Sequence, residues 1–291
     1  MTKGARGWGC WLVGLGLLCG TIYFGTMIFE RQMIYFPTTY PDGLWDTDAA
    51  ALNSGCTIAD CNFAADDGVP LHGWLCTPRH AEGITGDMVL LWFHGNAGNL
   101  SHRTDLMFRL AATPARVFIV DYRGYGRSGG KPSEEGLYLD ARAAWRYLVD
   151  EQRVSPDRIV IFGKSLGGAV AIDLATEVTP AGLIVQSSFT SLPDMAARHF
   201  PFVPKALIRT RMDSLSKISE VRVPKLFIHS TADEVAPYEL GQRLYDAAPE
   251  PKRFFVVDGA GHNETWVVGG AGYFAAIRDF VGYCRQRSGR P

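Results

Sequence analysis

Neither sign of charge dominates this chain of 291 residues: 29 lysines and arginines face 30 aspartates and glutamates, a formal net charge of −1. Without a basic excess there is no electrostatic footprint for nucleic acid, which is excluded as an expected partner. Cysteine is sparse and scattered. The six, Cys10, Cys19, Cys56, Cys61, Cys76 and Cys284, include no C-x-x-C pair, and no histidine stands at zinc-ligand spacing, so no metal site is expected. No internal repeat and no low-complexity tract interrupts the sequence, which suits one large α/β domain plus an appendage.

Charged side chains are absent altogether between Arg6 and Glu30. The mostly apolar run 8–29, if helical, would be about 33 Å long at ~1.5 Å per residue, enough to cross a hydrocarbon core of ~30 Å. It is expected to be a membrane anchor, with Trp8, Trp11, Tyr23 and Phe29 toward its ends and a short tail, 1–7, before it. A cleaved signal peptide is the alternative, but the run exceeds a signal core of ~7–15 residues and no A-x-A-like site precedes Glu30. Lys3, Arg6 and the terminal amine outweigh the near-cancelling Glu30 and Arg31. The N-terminus is therefore expected in the cytoplasm and the remainder on the outer, periplasmic or lumenal side. In such a compartment Cys56 and Cys61 either close a small disulfide or remain two buried thiols.

After a connecting segment, 30–54, strands alternate with helices from 55 to 286, and a tail, 287–291, ends the chain. Cys56 to Ala64 and Leu71 to Thr77 read as a hairpin around Asp66-Asp67-Gly68. Met88 to Phe93, Arg116 to Asp121, Ile159 to Phe162, Leu183 to Gln186, Lys225 to Ser230 and Arg253 to Val257 read as buried strands. Helices are expected over Ser101 to Ala112, Ser133 to about Asp150, the stretch after Ser165, Tyr238 to Ala247 and Gly272 to Arg285. That alternation predicts an α/β fold with a doubly wound, mostly parallel sheet.

The chain is organised around Arg158 to Ala171, RIVIFGKSLGGAVA. Gly163 and Gly167 flank Ser165 in the G-x-S-x-G spacing of a nucleophile elbow, where a serine in a strained strand-to-helix turn presents its hydroxyl above the sheet. Ligands of such sheets bind at the carboxyl ends of the strands. Two further residues stand just past such ends: Asp233 after the strand closing at Ser230, and His262 in Asp258-Gly259-Ala260-Gly261-His262-Asn263. The order Ser165, Asp233, His262 is that of an α/β-hydrolase triad. A serine hydroxyl needs an imidazole to take its proton and a carboxylate to fix the tautomer. Glu234 and Asp258 compete with Asp233 for the acid, His229 reads as a core or supporting group, and Asp121 is expected to anchor the turn around Arg123. The backbone N–H groups of Leu166 and Asn96 are candidate oxyanion donors, with Ala97 the alternative to Asn96.

The strings FHGNAGN, DYRGYGRSGG, SEEGLYLDA, GKSLGGAVAI, HSTADEVAP and DGAGHNETW closely resemble the membrane-anchored α/β-hydrolase domain-containing proteins related to the bud-emergence protein of fission yeast. The resemblance runs from about Gln32 to Phe280. It implies an α/β-hydrolase fold behind one N-terminal anchor, with catalytic roles on Ser165, Asp233 and His262. It further implies a serine hydrolase acting on an ester or thioester, with acyl groups on protein cysteines among the substrates of such proteins. This chemistry requires no cofactor. Its partners would be the acyl substrate and the bilayer. A serine peptidase of the prolyl-oligopeptidase type and a membrane-tethered binding protein without turnover are the alternatives. A short insertion, 188–223, stands where a lid would be, and its Phe200-Pro201-Phe202 with Lys205, Arg209 and Arg211 is expected to face the membrane and border an acyl-chain pocket.

Overall fold

The computed structural model describes residues 30–52, 54–79, 87–113 and 115–288. The expected membrane anchor, 8–29, lies outside them, and among the described residues no helix is long and apolar enough to cross a membrane. The chain divides into a unit over 1–36, of which 30–36 are described, helical over 30–34, and a unit over 37–291 that carries the whole main sheet.

That sheet has eight strands: β1 (Cys56–Ala64), β2 (Pro70–Pro78), β3 (Val89–Phe93), β4 (Arg116–Asp121), β5 (Ile159–Lys164), β6 (Gly182–Gln186), β7 (Lys225–Ser230) and β8 (Lys252–Val257), in the order β8-β7-β6-β5-β3-β4-β2-β1. Every pairing is parallel except β1 with β2 and β2 with β4. The central strands β3 and β5 are continuous apolar runs because helices cover both of their faces. VLLWF of β3 is wholly buried, and Val89 to Phe93 lie opposite Ile159 to Gly163 in register. Trp92 stacks on Phe162 at 5.7 Å between ring centroids, and both belong to one continuous core cluster. Each such side chain contributes about 1.5–3 kcal/mol by leaving water.

The α-helices after β3 are α1 (Thr104–Ala111), α2 (Glu134–Arg146), α3 (Leu166–Glu177), α4 (Leu192–His199), α5 (Ser214–Ile218), α6 (Tyr238–Ala247) and α7 (Thr265–Ser288). Ser133 caps α2 by accepting from the Gly136 N–H, satisfying a donor that the first turn leaves open. The Glu134 carboxylate that follows accepts the N–H groups of Arg211 and Met212 at 2.7 Å each, which ties the 188–223 insertion to the body of the domain. The last helical stretch is two helices joined across a kink at Gly270, the second of them the one expected over Gly272 to Arg285. The stretch begins at Thr265, with non-helical angles at Gly270 (φ 48°, ψ −134°); the glycines at 269, 270 and 272 disguise its first turns.

Of the two alternatives left open for the cysteines, the structure has the buried thiols: Cys56 and Cys61 are both free. They lie an odd number of residues apart on β1 and so project to opposite faces, about 16 Å apart along the strand, out of disulfide reach. Cys56 instead shares a thiol hydrogen bond with Cys76, and burial, then Cys56, push the Cys76 thiol well up. Asp121 does anchor the turn around Arg123, through its backbone carbonyl, which accepts the Ser128 hydroxyl at 2.7 Å. Its Oδ1 accepts the Leu100 N–H at 2.8 Å, while Arg123 is clamped by Asp140 and Asp67. Burial raises the Asp140 carboxyl to about 6, although the Arg123 hydrogen bonds and charge pull it down.

Candidate active site

Ser165 stands between the end of β5 and the first residue of α3, at φ 54° and ψ −119°. A non-glycine residue at positive φ costs about 1–3 kcal/mol and persists only where its surroundings over-determine it. They do so here: the Ser165 N–H donates to Gln186 O at 2.8 Å, and its carbonyl accepts from Gly168 N at 2.8 Å and Ser188 Oγ at 3.0 Å. The flanking glycines allow the approach. A Cβ at Gly163 would lie 2.2 Å from the Gly167 carbonyl oxygen, and one at Gly167 would lie 2.0 Å from that of Phe93. Leu166 opens α3, so its N–H belongs to the donors that a helix start leaves unpaired, at the positive end of the helix dipole.

Past β7 and β8 the chain brings an acid to a base. The imidazole Nδ1 of His262 lies 2.9 Å and 2.8 Å from the two carboxylate oxygens of Asp233. The same carboxylate accepts the N–H groups of Val235 (3.0 Å) and Ala236 (2.7 Å). Burial pushes the Asp233 carboxyl up. The hydrogen bond and charge of His262, the Ala236 N–H and the charge of His229 outweigh that push and hold it below the ordinary 3.8. The rival acids are engaged elsewhere: Glu234 accepts the backbone N–H of His262 at 3.0 Å, and Asp258 accepts the Thr231 hydroxyl at 2.7 Å.

The serine and the acid–base pair are joined through their neighbours. Lys164, next to Ser165, donates from Nζ to the side-chain oxygen of Asn263, next to His262, at 3.0 Å. No hydrogen bond runs between Ser165 Oγ and the imidazole. Catalytic contacts of this kind are often open until substrate is bound.

The glycine-rich loop after β3 completes the floor. Gly95 lies against Ser165, since a Cβ there would sit 3.6 Å from the serine Cβ. Four consecutive carbonyls of this loop are held by side chains: His94 O by the Tyr122 hydroxyl at 2.8 Å, Gly95 O by His94 Nδ1 at 2.6 Å, Asn96 O by the Tyr125 hydroxyl at 2.7 Å, and Ala97 O by the Arg103 guanidinium. A trans peptide directs its N–H opposite to its carbonyl. With the Gly95 carbonyl turned to the buried His94 ring, the Asn96 N–H points away from it.

His229, Tyr122 and Tyr125 thus shape the site without belonging to the triad pattern. His229 Nε2 donates to Ala236 O at 2.8 Å and fixes the turn whose N–H groups hold Asp233. Burial lowers the pKa of His229 below the ordinary 6.5, against the Ala236 carbonyl and Asp233, which raise it. The unfolded chain then takes up the proton first as the pH falls, so this stability is present above pH 6.5 and is lost as the pH falls below it. The melting temperature, followed from about pH 8 to about pH 5, should decline through this window, and His229→Gln should flatten the decline. An unchanged slope in the variant would assign the effect to other groups.

Phe200 and Phe202 are 43 % and 80 % exposed and pack edge-on against each other, 6.3 Å between centroids, rather than lining an enclosed cavity. His199 beside them donates to or accepts from no catalytic group, but its Nε2 lies 2.8 Å from Val235 O at the edge of the acid loop. A shallow cavity among Asp87, Arg158 and Arg285 lies where β3 and β5 begin, the opposite end of the strands. Among the described residues no three His, Cys, Asp or Glu side chains group to hold a metal ion.

Comparison with known proteins agrees with this architecture. Residues 86–212 match the family model described as "Serine aminopeptidase, S33". An uncharacterized protein of Mycobacterium tuberculosis is 40 % identical over 253 residues, 87 % of each chain. Protein bem46 of Schizosaccharomyces pombe is 31 % identical, covering 89 % of this chain and 88 % of its own, and the α/β hydrolase domain-containing protein WAV2 of Arabidopsis thaliana is 33 % identical over 87 % of each. The solved esterase Pf2001 of Pyrococcus furiosus superposes with a TM-score of 0.70 at 22 % identity, over 85 % of this chain and 98 % of its own. With its sheet order, its strand-to-helix serine and relatives similar along most of their length, the chain belongs to the α/β-hydrolase domain-containing family that includes bem46 and WAV2.

Proposed function

We propose that the chain is a serine hydrolase that cleaves a carboxylic ester or thioester through an acyl-serine intermediate. The observation that carries this reading is a serine held at positive φ against Gly95, tied by Lys164–Asn263 to an imidazole that a buried carboxylate orients. Asp233 accepts the Nδ1 proton, which leaves Nε2 as the basic nitrogen. Ser165 Oγ attacks the substrate carbonyl while Nε2 takes its proton. The oxygen that becomes negative is met by the N–H groups of Leu166 and Asn96. His262 then returns the proton to the leaving thiol or alcohol, and a water, deprotonated in the same way, releases the acid.

Covalent labelling by a fluorophosphonate probe tests the reading. The folded wild-type protein should label and Ser165→Ala should not, with circular dichroism confirming that both are folded. A folded wild-type chain that resists the probe would overturn it in favour of a binding protein without turnover. An aminopeptidase is the second reading, favoured by the description of the matching family model. It uses the same residues on an amide, and faster turnover of aminoacyl amides than of esters of equal size would select it.

The pinned loop gives a further expectation. Tyr125→Phe removes the hydroxyl that holds Asn96 O but leaves the proposed donor itself in place. Its cost should be below the 10²–10³-fold of losing an oxyanion donor outright. We expect about a tenfold fall in kcat with little change in KM, read on a short p-nitrophenyl ester. A change confined to KM would remove Tyr125 from this role.

A further inference from the structure

Most cations of the domain that pack inside it are matched by carboxylates. Arg123 is clamped by Asp67 and Asp140, Lys217 by Asp173, and Arg142 by Glu177. The fully buried Lys225 instead takes two backbone carbonyls, those of Val221 and Val223. Two cations at the reacting centre differ. Lys164, half-buried beside Ser165, donates to one neutral oxygen, that of the Asn263 amide. Arg103, half-buried at the start of α1, donates to the Ala97 carbonyl in the loop that abuts Ser165.

Among the described residues no carboxylate lies within ion-pair distance of either group. The acids nearby are committed: Asp233 to the imidazole, Glu234 to the His262 N–H, and Asp121 to the Leu100 N–H. The two cations also feel each other. Burial, and next the Arg103 guanidinium, lower the Lys164 amine to about 8, with Asp233 pulling the other way. Asp121 likewise acts on Arg103, but from beyond ion-pair distance. A pair of like charges withdrawn from water without a contacting counter-charge is costly, and an ammonium and a guanidinium both have further N–H donors to offer. A single oxyanion placed between them would satisfy those donors and relieve the repulsion.

We propose that the substrate carries an anionic oxygen group, a carboxylate or a phosphate, which docks between Lys164 and Arg103 beside the scissile acyl bond. This deepens the serine-hydrolase reading and rests on it for the position of that bond. Arg103 and Lys164 are then specificity residues: each holds a substrate group that takes no part in bond breaking.

The test uses the full chain carrying Ser165→Ala, with binding followed by titration calorimetry. Three comparisons are made: mono-p-nitrophenyl succinate against p-nitrophenyl butyrate, and both 4-acetoxybenzoate and 4-acetoxyphenyl phosphate against methyl 4-acetoxybenzoate. A charge-assisted contact predicts that an anionic member binds at least about tenfold tighter than its neutral partner in one or more comparisons. The succinate and benzoate arms read a carboxylate on the acyl or leaving side, and the phenyl phosphate arm reads a phosphate. Adding Lys164→Met, or separately Arg103→Gln, should abolish that preference, and Lys164→Arg should retain it. Equal affinities in every comparison, or a preference that survives both Lys164→Met and Arg103→Gln, would overturn the proposal. Failure of the serine-hydrolase reading shows elsewhere, as Ser165→Ala protein that hydrolyses p-nitrophenyl butyrate as fast as wild type.

Discussion

Asp233→Asn should lower kcat by about three to four orders of magnitude while the protein stays folded. The geometry dictates why an isosteric amide fails. Asp233 Oδ1 accepts the N–H groups of Val235 and Ala236, so the amide oxygen of Asn must remain there and its NH2 must replace Oδ2. That NH2 would point at His262 Nδ1, now 2.8 Å from Oδ2. Two donors cannot face each other, and the imidazole would move its proton to Nε2, where the base is needed. The loss would be read as kcat on a short ester, with melting curves as the control for folding. A fall of less than tenfold would show that Asp233 does not set the tautomer, and Glu234 would be the next acid to replace.

The second large effect is on stability. Gly167→Ala places a methyl 2.0 Å from the Phe93 carbonyl oxygen and 2.6 Å from that of His94. Both atoms are backbone of the central strand and its loop, so no side-chain rotation relieves the clash, and α3 must move off the sheet. We expect a loss of more than about 3 kcal/mol in urea unfolding. The contrasting substitution is Gly282→Ala in α7, where a Cβ meets nothing within 4 Å. There the gain in helix propensity should stabilise by roughly 0.5–1 kcal/mol. If the two variants unfolded at the same urea concentration, close approach of α3 to β3 would not be what the elbow glycine provides.

Much of this is legible in the sequence alone, because the informative signals are local. A buried parallel strand must be apolar on both faces, so VLLWF, RVFIVD and KLFIHS announce themselves, and they stand at Val89–Phe93, Arg116–Asp121 and Lys225–Ser230. The strained serine likewise requires glycines at fixed offsets. What the sequence hides is pairing across long separations. Nothing in the string DYRGYGRS says that its two tyrosines reach back 28 and 29 residues to carbonyls of the loop after β3. Lys164 could be seen as part of the elbow, but its partner Asn263 is 99 residues away. The end of β1 misleads for the same reason: Cys56 and Cys61 look like partners by proximity in sequence, whereas the neighbour of Cys56 is Cys76 on the adjacent strand.

The four held carbonyls divide responsibility within the molecule in an unusual way. The donors proposed to meet the oxyanion are peptide N–H groups, which every amino acid but proline carries. At position 96, then, the side chain can be exchanged to reshape the mouth of the site while the donor stays in place. The restriction falls instead on His94, whose ring holds the Gly95 carbonyl of that peptide, and on Tyr122 and Tyr125, in a separate segment, whose hydroxyls hold the carbonyls on either side of it. Substrate choice and rate enhancement are thereby written in different residues, and a lineage could alter one without rewriting the other.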